Sequence, residues 1–381
     1  MMADTSETRF DLLIRAGRVF CPGNGWDGPS AVGIRDGRIM ATGQQVDGTA
    51  EKVLDYPDDL LLPGLVDLHA HPARGLSKYG VDPDLNFLPR GVTTVMSQGD
   101  AGAHNWDEYR ETVAKSSKTR VIMALNLSGP GESREQGCFE NLEDADVDAC
   151  VESIRDGGND VWGIAINTSL SACNETDPRE ILFRAVAAAE RADVPLLFGS
   201  RRHSDVPLAQ QLTQLRSGDV LTYCFHPEAE GLTAGGHIRD GIWQARERGV
   251  LFDVGHGMGS FSFEVAEQAI ADGFFPDTIS TDQYKGHVGS NPQHDLPRTL
   301  SKLIAAGMPE SDAFVRATLR SSKVLGLEDE VGCLSPGKCA DLAVLRWNES
   351  AAPLADTQGV ERPGGCWEPI ATVRAGEIVA Q

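Results

Sequence analysis

The fold class this sequence predicts is α/β: a (β/α)8 TIM barrel beside a small discontinuous β-sandwich domain made from the N- and C-terminal segments. Three observations predict it. Eight short apolar runs follow one another between residues 60 and 283, with helical patterns between most of them. Short strand-and-turn patterns occupy residues 10–56, and β character returns at 332–345 and 370–380. A doubly wound sheet would need a glycine-rich phosphate-binding turn after an early strand, and none is there. The expected division is residues 1–59 and 329–381 for the β domain and 60–328 for the barrel.

The first segment reads as strands at 11–15, 18–21, 31–35 and 38–42, with Asp36-Gly37 as a hairpin turn between the last two. The barrel strands are expected at 60–71, 91–98, 120–128, 160–167, 194–200, 220–225, 250–256 and 278–283. Asp177-Pro178 supplies an N-cap and a first-turn proline, and Ile181, Leu182, Ala185, Val186 and Ala189 then recur at helical spacing. Residues 262–271 repeat that pattern, and two further helical stretches lie at 296–306 and 310–325.

Composition narrows the function classes. The 381 residues are 41% apolar, ample for a large core, and the net charge of −22 excludes nonspecific attraction to nucleic acid or anionic membranes. The excess acid is spread along the chain, as a solvated surface. Eight cysteines form no Cys-x-x-Cys pair, which points to a reduced, cytoplasmic protein. The first ten residues lack the apolar core of a signal peptide, and no run reaches the roughly 18 apolar residues of a membrane span. The expected partner is a small-molecule substrate, and the sequence leaves homo-oligomers open.

The chemistry concentrates at strand ends. Residues 60–71, LLLPGLVDLHAH, end an apolar strand in His69 and His71, two apart and so on one face. Two core histidines are the bland alternative. Barrel closure sets strand eight, ending in Asp282, beside them, and two imidazoles with a carboxylate make a three-ligand metal set with an open position. Zn²⁺ suits that set best, with Fe²⁺ and Mn²⁺ as alternatives. A helix cap or a structural salt bridge is the other reading of Asp282.

The segments PGLVDLHAH (63–71), GVTTV (91–95), ISTD (279–282) and GCLSPGKCADLAVL (332–345) resemble the amidohydrolase superfamily of metal-dependent hydrolases. FDVGHG (252–257) and residues 260–282 place the resemblance nearest its amidohydrolase/deacetylase subfamily. The resemblance implies a second metal, bridged by a strand-four lysine and held by histidines of strands five and six. Ala165, Gly199 and Tyr223 stand at those places, and no lysine occurs in 119–284. The expectation is therefore one metal, held by His69, His71 and Asp282.

The resemblance further implies hydrolysis of a small amide, cyclic amide or ester by a metal-activated water, with Asp282 as general base and then proton donor. Tyr223 or His256 is expected to stabilise the oxyanion. Arg201, Arg202, His226 and Gln98 are the candidates for binding substrate, the arginines by clamping a carboxylate or phosphate. Ser97 and Asp100 are expected on the floor of the mouth, and Lys285 and His287 in a lid. Two alternatives remain: a lyase, decarboxylase or isomerase on the same barrel, or a catalytically silent binding protein.

Overall fold

The structure is a computed structural model and describes residues 8–381. Four strands open it: β1 (Arg9–Cys21), β2 (Trp26–Arg35), β3 (Arg38–Gly43) and β4 (Thr49–Pro63). The barrel strands are β5 (Leu65–Ala70), β6 (Val92–Gly102), β7 (Arg120–Asn126), β8 (Val161–Asn167), β9 (Leu196–Gly199) and β10 (Val220–Thr222). A small hairpin, β11 (Thr233–Ala234) and β12 (His237–Ile238), precedes β13 (Leu251–Phe252). The chain ends with β14 (Leu342–Asn348), the pair β15 (Leu354–Ala355) and β16 (Glu361–Arg362), then β17 (Cys366–Arg374) and β18 (Glu377–Ala380).

The two ends of the chain meet in one seven-stranded sheet, ordered β18-β17-β14-β4-β1-β2-β3. Asp36 and Gly37 make the β2–β3 turn at φ 51° and 72°. That turn folds back on the segment before β14, where Ala340 N–H donates to Gly37 O. The expected sandwich is thus one sheet wrapping a core that includes Ile14, Val19, Val32, Leu61, Leu342 and Val344.

The apolar run at 60–71 divides between the two units. Leu60–Leu62 pair with β14 in the terminal sheet, and Leu65 begins the barrel by pairing with Val92. Hydropathy cannot see this break, because both halves are buried.

The barrel sheet is parallel, in the order β13-β10-β9-β8-β7-β6-β5. Residues 278–283 close it through bridges Asp253↔Thr278 on one side and Ala70↔Gln283 on the other. Asp282 N–H donates to His69 O at 2.7 Å, and His71 N–H to Gln283 O at 2.9 Å. This eighth element is ragged because Asp282 sits at φ 49°, outside extended geometry. Tyr223 at φ 62° ends β10 in the same way, which is why these last strands are shorter than their apolar runs. Val66, Leu68, Met96, Ala124, Ala165 and Leu197 fill the barrel interior. The helix Pro178–Ala192 forms as expected, capped by Asp177, whereas the stretch 310–325 breaks into Glu310–Arg316 and Leu319–Val324. No described helix is long and apolar enough to cross a membrane.

Candidate active site

His69, His71 and Asp282 come together, each offering a ligand atom within 4.8 Å of the others. Nε2 of His69 and Nε2 of His71 lie 3.5 and 3.3 Å from the same Asp282 oxygen, Oδ1. All three residues are buried, and His69 Nε2 has no hydrogen-bond partner.

The other ring nitrogens explain why. The Thr222 hydroxyl donates to Asp253 at 2.8 Å, so at its 2.7 Å contact with His69 it accepts, from Nδ1–H. Asp253 also receives the hydroxyls of Thr278 and Ser280, both at 2.6 Å, which fixes it without spending its charge. His71 Nδ1 donates to Asp100 at 2.9 Å, and Asp100 is held by Ser77 and Ser97. Both imidazoles thus have Nδ1–H engaged by a partner, which leaves Nε2 as the atom that faces the cluster, there to carry a proton or to bind a metal. That is the second-shell pattern by which proteins orient metal-ligating histidines.

Electrostatics agree with a cation at this point. Burial would raise the Asp282 carboxyl, but His69 and His71 outweigh it and hold it well below the ordinary carboxylate range. Burial would lower His71, but Asp100 and Asp282 push it up to about 10. The carboxylates therefore favour positive charge between the rings, whether it arrives as a proton or a metal. Close approach of backbone completes the wall. A Cβ on Gly257 would lie 2.5 Å from Asp282 Oδ2, and one on Gly255 2.3 Å from Thr222 Oγ1.

A cavity of about 160 Å³ opens over His71 and Asp282, walled by Gln98, Asn167, Tyr223 and Tyr284. Lys78 is the one lysine or arginine on its wall, 3.0 Å from Glu132. Tyr223 packs edge-on against His69 at 4.8 Å between centroids, with the Arg202 guanidinium over its ring at 4.6 Å. Burial raises the Tyr223 phenol well above its usual range, so it keeps its proton and stays a donor. Tyr223 and Asp282 both hold left-handed backbone, at a cost of about 1–2 kcal/mol each.

The structure brings Gln98 and Tyr223 to the cavity and places the other candidates elsewhere. Arg201 turns away to pair with Asp205 at 2.6 Å, and it lines a separate cavity with Phe198 and Leu182. Arg202 reaches the site only through the far face of Tyr223, its guanidinium engaged by Glu228 and Ser260. His226 is buried, accepting from Glu228 N–H, and burial, with Arg202, lowers it to about 3. His256 donates to Gly257 O and meets Lys302 Nζ at 2.7 Å, so its flanking glycines, not its ring, contact the site. Lys285 and His287 form a short 3-10 turn tied to Tyr79 O.

Sequence reasoning missed Thr222, Asp253, Tyr79 and Lys302. Thr222 and Asp253 lay inside apolar runs, and although Asp253 belongs to the FDVGHG segment, neither was given a role. The visible signal was polarity in an otherwise apolar barrel strand, which is rarely tolerated without a partner.

Similarity to known proteins identifies the family. Residues 262–379 match the amidohydrolase family. A deacetylase of Enterococcus faecalis is 29% identical over 97% of this chain and 99% of its own. A deacetylase of Agrobacterium fabrum is 30% identical over 91% of this chain and 85% of its own. Among solved structures, that of an adenine deaminase superimposes with a TM-score of 0.88 at 29% identity, covering 98% of this chain and 100% of that one. The crystal structure of a dihydroorotase follows at 0.84 and 27%, over 97% and 98%. The chain belongs to the amidohydrolase superfamily, whose members are hydrolytic enzymes on TIM barrels. Within it, the most similar proteins named here are deacetylases and an adenine deaminase.

Proposed function

We propose that this enzyme hydrolyses a small amide, cyclic amide or ester with a single divalent metal, Zn²⁺ by preference, held by His69, His71 and Asp282. One observation carries the reading: two imidazoles with Nδ1 tied down converge through Nε2 on one buried carboxylate. The donor set fits a divalent ion with an open position, Fe²⁺ and Mn²⁺ included. Bound there, the ion supplies Lewis acidity toward a carbonyl and a water.

The chain's own residues do the rest. Asp282, kept ionised by its histidines, accepts the proton of the attacking water and returns it to the leaving group. Tyr223 keeps its phenol proton and donates to the oxygen on which charge develops. Gln98 and Asn167 offer amide groups to orient substrate, and the size of the cavity limits that substrate to a small molecule. A single metal follows from Ala165, Gly199 and Tyr223, none of which supplies the imidazole or lysine of a second site. Hydrolysis at C–N bonds is supported by the deacetylases and adenine deaminases among the relatives.

The test is turnover in ¹⁸O-water by metal-loaded protein of a panel of N-acyl amides, cyclic amides and esters. One ¹⁸O in the new carboxyl group is the expected product. A product formed without solvent oxygen would overturn hydrolysis in favour of a lyase or isomerase.

A further inference from the structure

Cys21 and Cys333 are 312 positions apart in sequence, yet their sulfurs stand 3.3 Å apart. Cys21 is the last residue of β1 and is fully buried; Cys333 lies in the loop leading to β14 and keeps 6% exposure. The surroundings hold both sulfurs in place. Leu334 N–H donates to Cys21 Sγ at 3.1 Å, and the Ser335 hydroxyl lies 3.0 Å from Cys333 Sγ. A Cβ on Gly23 would fall 2.3 Å from Cys333 Sγ, so the turn after β1 leaves the sulfur its room. An approach of about 1.3 Å would bring the pair to bonding distance.

We propose that Cys21 and Cys333 form an oxidisable dithiol that a peroxide closes to a disulfide, fastening the first strand of the terminal sheet to the segment returning from the barrel. Cys333 is the attacking sulfur. The Cys21 thiol and the Ser335 hydroxyl both favour its thiolate and pull it down, whereas burial pushes the six cysteines outside the pair up. Cys333 thiolate attacks one peroxide oxygen, the O–O bond breaks, and Cys333 sulfenic acid and hydroxide form. Cys21 loses its proton to that hydroxide and attacks the sulfenic sulfur. The S–O bond breaks, and the departing hydroxide takes up a proton as water. Two thiols are oxidised by two electrons, and one peroxide is reduced to two waters.

The test uses the full-length protein treated with a small excess of hydrogen peroxide, alkylated, digested and mapped by mass spectrometry. The expected result is one linked peptide pair, Cys21 with Cys333, two hydrogens lighter and reversed by dithiothreitol. The oxidised protein should also unfold at a higher temperature, because the bridge closes a long loop. Cys333→Ser should slow peroxide-driven thiol loss about tenfold or more, since an ordinary cysteine is only a few per cent thiolate at pH 7. In Cys21→Ser, Cys333 should stop at sulfenic acid and be trapped by dimedone. The proposal is overturned if wild-type Cys21 and Cys333 both remain free thiols while other cysteines oxidise, or if the bridge joins a different pair. The wild-type map decides the matter even if neither variant folds.

Discussion

At the ends of β5 and of residues 278–283, each ligand-bearing side chain has its own support: Thr222 and Asp253 behind His69, Asp100 with two serines behind His71. On the facing strands, Ala165 lies inside β8 among the barrel's interior side chains, Gly199 ends β9, and Tyr223 follows β10. A Cβ on Gly199 would lie 3.0 Å from the Tyr223 ring and 3.2 Å from Asn167. The aromatic ring has taken the space that a side chain at 199 would need, and Arg202 packs against it from behind. One half of the mouth carries two imidazoles and a carboxylate, the set proposed to hold the metal; the other is packed as an aromatic wall with one donor. The two halves meet at β10: its last residue, Thr222, holds His69, and the next, Tyr223, forms the wall and packs against the same imidazole, so a change in the wall is felt at His69 more than at His71.

The largest expected effect comes from breaking the metal half. Asp282→Ala should abolish both turnover and metal retention, measured by elemental analysis and by rates on any active substrate of the panel. Weakening only the supports should cost less. Thr222→Val and Asp100→Asn are each expected to reduce metal affinity or activity by about 10–100-fold, read by competition with a chelator. On the aromatic half, Tyr223→Phe should lower kcat by about 10²-fold while leaving metal content unchanged. Loss of metal in that variant would mean that Tyr223 belongs to the cation's half after all.

A smaller effect sharpens the contrast further. Gly199→His restores an imidazole to the aromatic half, yet it should destabilise the protein without recruiting a second ion, because its Cβ meets the Tyr223 ring. Lys302, behind His256, gives the smallest signal. Burial lowers its ammonium to about 8 from 10.5 in the open chain. Between those values the unfolded chain binds the extra proton, so this group adds stability as pH rises from about 8 to 10.5 and withdraws it as pH falls. Lys302→Met should flatten that part of the stability–pH curve, measured as the difference from wild type.

Much of this was legible in the sequence, for identifiable reasons. Barrel strands announce themselves because they are buried on both faces, and His-x-His with a strand-eight aspartate survives as a local motif. The split at Gly64 was invisible, since the residues on either side are equally apolar. The eighth run, 278–283, does sit between β13 and β5, but it makes only isolated bridges and no regular strand. The arginines misled because strand-end position fixes only where a side chain starts; Asp205 decided where Arg201 went. Thr222 and Asp253 were illegible because their role exists only across strands, in the hydrogen bonds that fix a histidine tautomer.

The most direct test of the central claim is metal content per chain by elemental analysis, on wild type and on the His69→Ala, His71→Ala double variant. One divalent ion per wild-type chain, lost in the variant, is the predicted result. Two tightly bound ions in wild type, or an ion retained by the variant, would contradict it.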